Sequence, residues 1–333
     1  MRLQFNEVKN KLKEIFIKYG YDEKNAELLA YTHTETNKDG IFSHGTNRVK
    51  RFIDYIKLGY VDVSAKPKIE KENGSICIIN GNLGSGVLNA YYAVDKAMEI
   101  ADKYGIALVG LNNTTHWMRG GTYGLYAAKK GYVAISWTNT ESCMPPWGGT
   151  EIKLGNNPFV MAAPGNPPAL LDMAMSLYSY GKLQTTRLQN KELPFPGGYD
   201  KEGNLTSIPG LIEESKRILP MGYWKGSSFA FMLDILAAML SNGLETSNID
   251  KADKGICGRC SQVFIIIDPK KITESNRIIE IINNEIKHIK SSPLDNNSKE
   301  IRYPGEGVKN NNKLSEEKGI FVEDSIWEEI LTL

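Results

Sequence analysis

The sequence predicts a mixed α/β fold. Helical periodicity fills its N-terminal stretch, strand-like apolar runs then alternate with helical segments, and 333 residues are ample for a large core. In chain order, residues 6–19 set Val8, Leu12, Ile15, Phe16 and Tyr19 at helical spacing, and Gly20 stops the run. A second helix starts at Asp22, runs through Ala26, Leu29 and Ala30, and ends at Asp39-Gly40. A third, over 45–58, is apolar at Val49, Phe52, Ile53 and Ile56, with Ser43 as its cap. Strands are expected over 75–79, 106–111, 132–137, 158–163, 170–176 and 262–268, and helices over 90–104, 123–130, 227–240 and 274–290. The Asn- and Lys-rich stretch 295–313 reads as solvent-exposed loop, and "EDSIWEEILTL" closes the chain as a short amphipathic helix.

Lys plus Arg number 40 against 39 Asp plus Glu, so no global field favours nucleic acid or an anionic membrane as partner. The first residues lack the apolar centre of a signal peptide and no run is long enough to span a bilayer, so a cytoplasmic protein is expected. Four cysteines do not make a disulfide scaffold in a chain this long. Cys257-Gly-Arg-Cys260 offers two thiolates where structural zinc needs four ligands, so no metal site is expected.

His44 stands between Ser43 and Gly45. If Ser43 caps a helix, the imidazole sits at the positive end of the macrodipole, which lowers its proton affinity. Arg48, four residues on, would share that helix face, and the pair suits a 2-oxo acid: arginine forks the carboxylate and histidine passes a proton to the neighbouring oxygen. The bland reading is a helix-start histidine with one structural hydrogen bond. In "TTHWMRGGTYG", His116 precedes Trp117, and Arg119-Gly120-Gly121 leads into a helix whose amides a ligand could approach; an ordinary loop histidine fits as well. His33 and His288 read as surface or structural. "NGNLGSG" (80–86) lacks the order of the dinucleotide fingerprint and reads as a tight turn. Trp224 and Lys225 stand just before the N-terminus of an apolar helix, a junction able to hold an anion. Asp172 is a carboxylate in an apolar strand and calls for a partner, a histidine or a ligand hydroxyl.

"SHGTNRVKRF", "TTHWMRGGTYG", "WTNTESCMPPWGG", "LGNNPFVMAAP", "LLDMAMSLYSYG" and "ILPMGYWKGS" occur in this order, and with "IRYPGEG" and "GIFVEDSIWEEI" they span essentially the whole chain. Together they resemble the malate/L-lactate dehydrogenase family that is distinct from the Rossmann-type lactate and malate dehydrogenases. The resemblance implies a non-Rossmann, sulfolactate/malate dehydrogenase-like fold with N-terminal helices and a mixed sheet, forming a homodimer. It implies an N-terminal helical part (1–75), a nicotinamide-binding region (about 76–260) and a substrate or core part (roughly 120–333). It further implies NADH, with NADPH as the alternative, and reduction of the 2-oxo group of a small acid, most specifically one derived from a sugar. Malate, lactate, sulfolactate, ureidoglycolate and cyclic imino acids are the other substrates of the family, and a catalytically silent binding homologue is the reading of a different class. The histidine of the first motif, His44, is implied as proton donor, and His116 matches a histidine assigned as catalytic in some relatives. Cofactor segments map onto Pro168, Ala169, Leu170, Leu171, Asp172, Met173 and Ala174, onto Trp224 and Lys225, and onto Pro304, Gly305 and Glu306. Asp172 is expected to orient or charge-balance His44, and Arg48, from its spacing and charge, to hold the carboxylate. Glu306 stands where the resemblance leads one to expect histidine, and the cysteine pair where it leads one to expect a shorter passage.

Overall fold

The computed structural model describes residues 1–253, 255–256, 258–296 and 298–333. A short strand, β1 (Arg2–Leu3), leads into α1 (Phe5–Lys18), which buries Val8, Leu12, Ile15 and Phe16 at the predicted spacing. Asp22 caps α2 (Glu23–Lys38) by accepting from the Asn25 N–H, and the helix ends at Asp39 as expected. The next segment departs from expectation. Residues 42–48 form two 3-10 turns, and α3 (Val49–Lys57) begins only at Val49, without a side-chain cap. Ser43 is therefore no helix cap, and His44 does not stand at a helix N-terminus. The cause is tertiary: Gly45 takes φ −96° and ψ −126°, and the Thr46 N–H is drawn to the Asn37 side chain.

The chain continues through β2 (Lys68–Asn73), β3 (Ile76–Asn80), α4 (Gly86–Tyr104), β4 (Ile106–Thr114), α5 (Gly120–Lys129), β5 (Val133–Thr138), β6 (Phe159–Ala163) and β7 (Ala169–Met173). A peripheral unit follows: α6 (Tyr180–Leu188), then the three-stranded sheet of β8 (Gly198–Tyr199), β9 (Leu205–Thr206) and β10 (Arg217–Ile218), with α7 (Pro209–Ser215) between the last two strands. Next come α8 (Trp224–Ser241), α9 (Thr246–Asp253), β11 (Cys260–Ile267), α10 (Ser275–Lys290), α11 (Glu306–Lys318), β12 (Ile320–Phe321) and α12 (Asp324–Leu331). Several boundaries differ from the reading of the sequence. α4 starts at Gly86, α5 at Gly120, β7 ends at Met173, α8 takes Trp224 and Lys225 into its first turn, and α11 occupies part of the stretch expected to be loop. "NGNLGSG" is a turn between β3 and α4, as expected, with Asn82 and Leu83 at positive φ.

The main sheet has seven strands in the order β2-β3-β4-β11-β5-β6-β7, and only β3 and β4 run parallel. β11 lies at its centre, with Phe264 opposite Val109 on one side and Ser136 on the other. Side chains alternate across the sheet: Phe264 and Ile266 join α4 and α5 in one core, whereas Val263 joins Ala230, Leu233 and Ala237 of α8 in a second. α1 and α2 pack on the first core, and β12 pairs with β1, so the two ends of the chain close beside α2. Among the described residues no single helix is long and apolar enough to cross a membrane. The paired-cysteine reading falls partly outside the description, because Cys257 is not among the described residues.

Candidate active site

The 3-10 turn of residues 42–44 and the loop after β4 bring His44 and His116 together. Their rings stack with centroids 5.7 Å apart and planes inclined by 23°. The Met118 N–H donates to His116 Nδ1 at 2.8 Å. An amide can only donate, so Nδ1 carries no hydrogen and the neutral ring keeps its proton on Nε2. His44 Nδ1 instead meets the Ser43 hydroxyl at 2.9 Å, a partner that can give or take a hydrogen. Burial pushes His44 down to about 3, with Arg48, Arg119 and His33 adding to the depression. Burial likewise holds His116 well below the ordinary imidazole value, helped by His44, Arg48 and Arg51. Both rings are neutral near neutral pH. Arg48 donates from Nε to the Ser43 carbonyl at 3.1 Å, which folds it back over its own turn toward the pair whose proton affinity it lowers.

α2 grips this turn from beneath. His33 Nδ1 donates to the Gly45 carbonyl at 3.0 Å. Asn37 accepts from the Thr46 N–H at 2.8 Å and donates to Thr46 Oγ1 at 2.9 Å and to the Phe321 carbonyl at 3.0 Å. A Cβ on Gly45 would fall 1.8 Å from Asn37 Oδ1, so the turn can approach α2 this closely only with glycine here. His33, expected at the surface or in a structural role, is structural and only 1 % exposed. Burial lowers it to about 4.

Asp172 lies on β7, and its Oδ2 accepts from the Gly121 N–H at 2.9 Å. Its charged neighbour is Arg119, whose Nε stands 3.7 Å away; the partner to which the structure brings it is thus this arginine. Burial raises the Asp172 carboxyl above its usual range, while Arg119 and the Gly121 amide oppose the rise. Arg119 also makes a buried ion pair with Asp39, which in turn accepts from Asn312 of α11 at 2.7 Å.

A family description, malate/L-lactate dehydrogenase, matches residues 3–331. The chain belongs to that family. The 2,3-diketo-L-gulonate reductases of Klebsiella pneumoniae (strain 342) and Escherichia coli O127:H6 are each 38% identical to it over 333 residues, covering 100% of both chains. Among solved structures, malate dehydrogenase from Entamoeba histolytica superposes with a TM-score of 0.94 at 24% identity, covering 100% of this chain and 96% of that one. Sulfolactate dehydrogenase from Methanocaldococcus jannaschii gives 0.89 at 28% identity, over 99% and 95%. The expected fold class is the observed one, and the chain is an oxidoreductase of 2-hydroxy and 2-oxo acids.

In this malate/L-lactate dehydrogenase fold, one of the three segments expected at the nicotinamide cofactor is β7 itself, and the 304–306 segment is bonded to it. The Leu170 N–H donates to the Pro304 carbonyl at 3.0 Å, and Gly305, at φ +96°, would carry a Cβ only 3.0 Å from Leu170 N. Just past the other end of the strand, the Met221 N–H donates to the Met175 carbonyl at 2.7 Å, two residues after β7 and three before Trp224. Both of those side chains are exposed at the start of α8. The Glu306 carboxylate pairs with Lys290 and accepts from the Tyr303 N–H, so it closes its own turn. Glycine at position 305 thus lets the 304–306 segment close on the backbone of β7. Sequence reasoning missed Asn37, Asp39 and the charge role of Arg119. Only Arg119 carried a signal, a cation just before a glycine-rich helix start.

Proposed function

We propose that this protein reduces the 2-oxo group of a sugar-derived 2-oxo acid with NADH, its substrate being 2,3-diketo-L-gulonate and its product 3-keto-L-gulonate. The observation that carries the reading is the stacked pair of neutral imidazoles beside Arg48. The full-length likeness to 2,3-diketo-L-gulonate reductases supports the choice of substrate. Residues 168–174, 224–225 and 304–306 would hold the cofactor, which when bound supplies the hydride.

Arg48 takes the substrate carboxylate, fixing the angle at which the carbonyl is presented. That carboxylate offsets the guanidinium charge which depresses His44, so substrate binding raises the proton affinity of the imidazole. The partners of the two rings divide the labour. Protonating His116 Nδ1 would break its bond to the Met118 N–H, so His116 stays neutral and donates from Nε2 to the carbonyl oxygen. His44 keeps its bond to the Ser43 hydroxyl in either protonation state, so His44 exchanges the proton. Asp172 holds the start of α5 against β7 through the Gly121 amide.

The exposed side chains of Phe231, Met232 and Met239 on α8 form an apolar face suited to a second copy of the chain, the homodimer we assign, working in the cytoplasm. Phe231→Glu should then yield monomer in sedimentation velocity.

The enzyme assay follows loss of dihydronicotinamide absorbance with 2,3-diketo-L-gulonate, oxaloacetate, pyruvate, sulfopyruvate and a cyclic imino acid, each with NADH and with NADPH. Turnover fastest with 2,3-diketo-L-gulonate and NADH is the expected result, and cofactor binding without consumption would make the protein a binder instead. His44→Gln should lower kcat by roughly 10²–10⁴-fold with the circular dichroism unchanged. Near-normal turnover would defeat the assignment.

A further inference from the structure

The turn that carries His44 is held by α2 on one side, and on another it meets α6 of the peripheral unit. Gly181, the second residue of α6, lies directly on Ser43. A Cβ at 181 would stand 2.6 Å from Ser43 Cβ and 3.4 Å from Ser43 Oγ. Ser43 is the residue whose hydroxyl meets His44 Nδ1 at 2.9 Å. One side chain thus joins α6 to the imidazole.

Both bodies at this contact are anchored. In the turn, the Ser43 carbonyl accepts from Arg48 Nε at 3.1 Å, and the Gly45 N–H donates to the Phe42 carbonyl at 3.2 Å. The Phe42 ring meets Phe321 of β12 edge-on, with centroids 5.2 Å apart. In α6, Ser179 caps the helix by accepting from the Lys182 N–H at 3.1 Å, and the Tyr180 hydroxyl donates to the Cys143 carbonyl at 2.8 Å. Leu183 is fully buried in the second core. Carbon atoms pack at about 3.5 Å or more, so a methyl group at 181 must drive the two bodies apart by about 1 Å. Glycine forms helix less readily than alanine, so the helix itself gains nothing from it; the contact with Ser43 is what a side chain there would disturb.

We propose that Gly181 is a positioning residue for the reduction: its bare Cα lets α6 seat the Ser43 side chain against His44, and this holds the imidazole at the angle from which it exchanges the proton. The inference rests on His44 being the group that exchanges that proton. A glycine that merely allowed α6 to pack would serve the fold equally well without bearing on the imidazole.

The test compares wild type, Gly181→Ala, Ser43→Ala and the double variant. Steady-state kcat and the KM for NADH are measured with 2,3-diketo-L-gulonate. Independently of turnover, the ring nitrogen resonances of His44, assigned with His44→Gln, report the bond between Nδ1 and the Ser43 hydroxyl. Gly181→Ala should lower kcat by roughly 10- to 100-fold, as a displacement of about 1 Å at a reacting group does, and leave the KM for NADH within about twofold. Its Nδ1 resonance should move in the same direction as in Ser43→Ala. The double variant should lose little more than Ser43→Ala alone, because both changes act on one bond. Unmoved His44 resonances, or a kcat within about twofold of wild type, would show that Gly181 only packs, whatever happens to stability, and additive losses would exclude the route through Ser43; each overturns the proposal. Should Gly181→Ala not fold, Tyr180→Phe decides, since it frees α6 from the Cys143 carbonyl without adding bulk. A lower kcat with shifted His44 resonances supports the proposal, and no change in either overturns it. The functional reading fails differently, through a His44→Gln protein that still turns over.

Discussion

Asn37→Ala is the most informative single perturbation of the site. The Asn37 side chain makes three hydrogen bonds in the interior, one accepted from the Thr46 N–H and two donated, to Thr46 Oγ1 and the Phe321 carbonyl. At roughly 1 kcal/mol net for each, their loss should destabilise the fold by about 3 kcal/mol. The second consequence is kinetic. Gly45 is released from its contact with Asn37, and the turn that carries His44 gains freedom to slide toward the space left behind. A displacement of the reacting group on the order of 1 Å costs up to about 100-fold in rate. Urea unfolding followed by circular dichroism measures the first effect, and steady-state kcat with saturating cofactor measures the second. A stability loss with kcat within twofold of wild type would show that the clamp supports the fold and does not place His44. Unchanged stability would mean that the three hydrogen bonds contribute nothing, and the argument for the clamp would go with them.

Gly305→Ala forces a side chain onto φ +96° against Leu170; a strain of about 1–2 kcal/mol should raise the KM for the nicotinamide cofactor roughly tenfold while kcat changes little. Gly121→Ala would set a Cβ 2.5 Å from Asp172 Oδ2, so it should disturb cofactor binding in the same direction as Asp172→Asn, and the two changes should be non-additive in a double-mutant cycle. His33 is lowered to about 4 in the folded chain, so the unfolded chain takes up the proton first. The stability contributed by its neutral form is complete above the unfolded value and is lost as pH falls toward 4. Between about pH 7 and pH 5 this removes about 2 kcal/mol; the likewise lowered His44 and His116 add to the fall, and His33→Gln should make the decline of the urea midpoint shallower by the share of His33.

Periodicity revealed α1, the limits of α2 and six of the seven strands of the main sheet, because each buries a face whose spacing is written in the apolar residues, whereas the charged, largely exposed β2 showed no such pattern. The third helix misled because its apolar stripe begins at Val49, while the residues before it are governed by a side chain from α2 rather than by local preference. α11 was hidden for a different reason. Its Asn-rich sequence buries nothing, and it is held as a helix through Asn311 and Asn312 on Asp39 and Ser315 on the Lys38 carbonyl. The two-residue strands of the peripheral sheet are too short to show any period. In the site, the imidazoles and Arg48 were legible from their chemistry. The pairing of Asp172 with Arg119 was not, because strand and loop meet only in the folded chain.

The composition of α2 explains how the proposed chemistry can sit on irregular backbone. Its first half buries Ala26, Leu29 and Ala30, as an amphipathic helix should, but its second half buries Thr32, His33, Thr34, Thr36 and Asn37. The three threonine hydroxyls return to the helix, each donating to the carbonyl four residues earlier. His33 and Asn37, together with Asp39 just beyond the helix, are left facing outward from it. Buried polar groups must find partners, and theirs are the Gly45 carbonyl, the Thr46 amide and hydroxyl, and Arg119. A helix that gives up apolar burial over its last two turns gains in exchange a rigid purchase on both loops that carry the imidazoles. Through these bonds the buried polar face of α2 holds in place the turn that the proposed reaction uses.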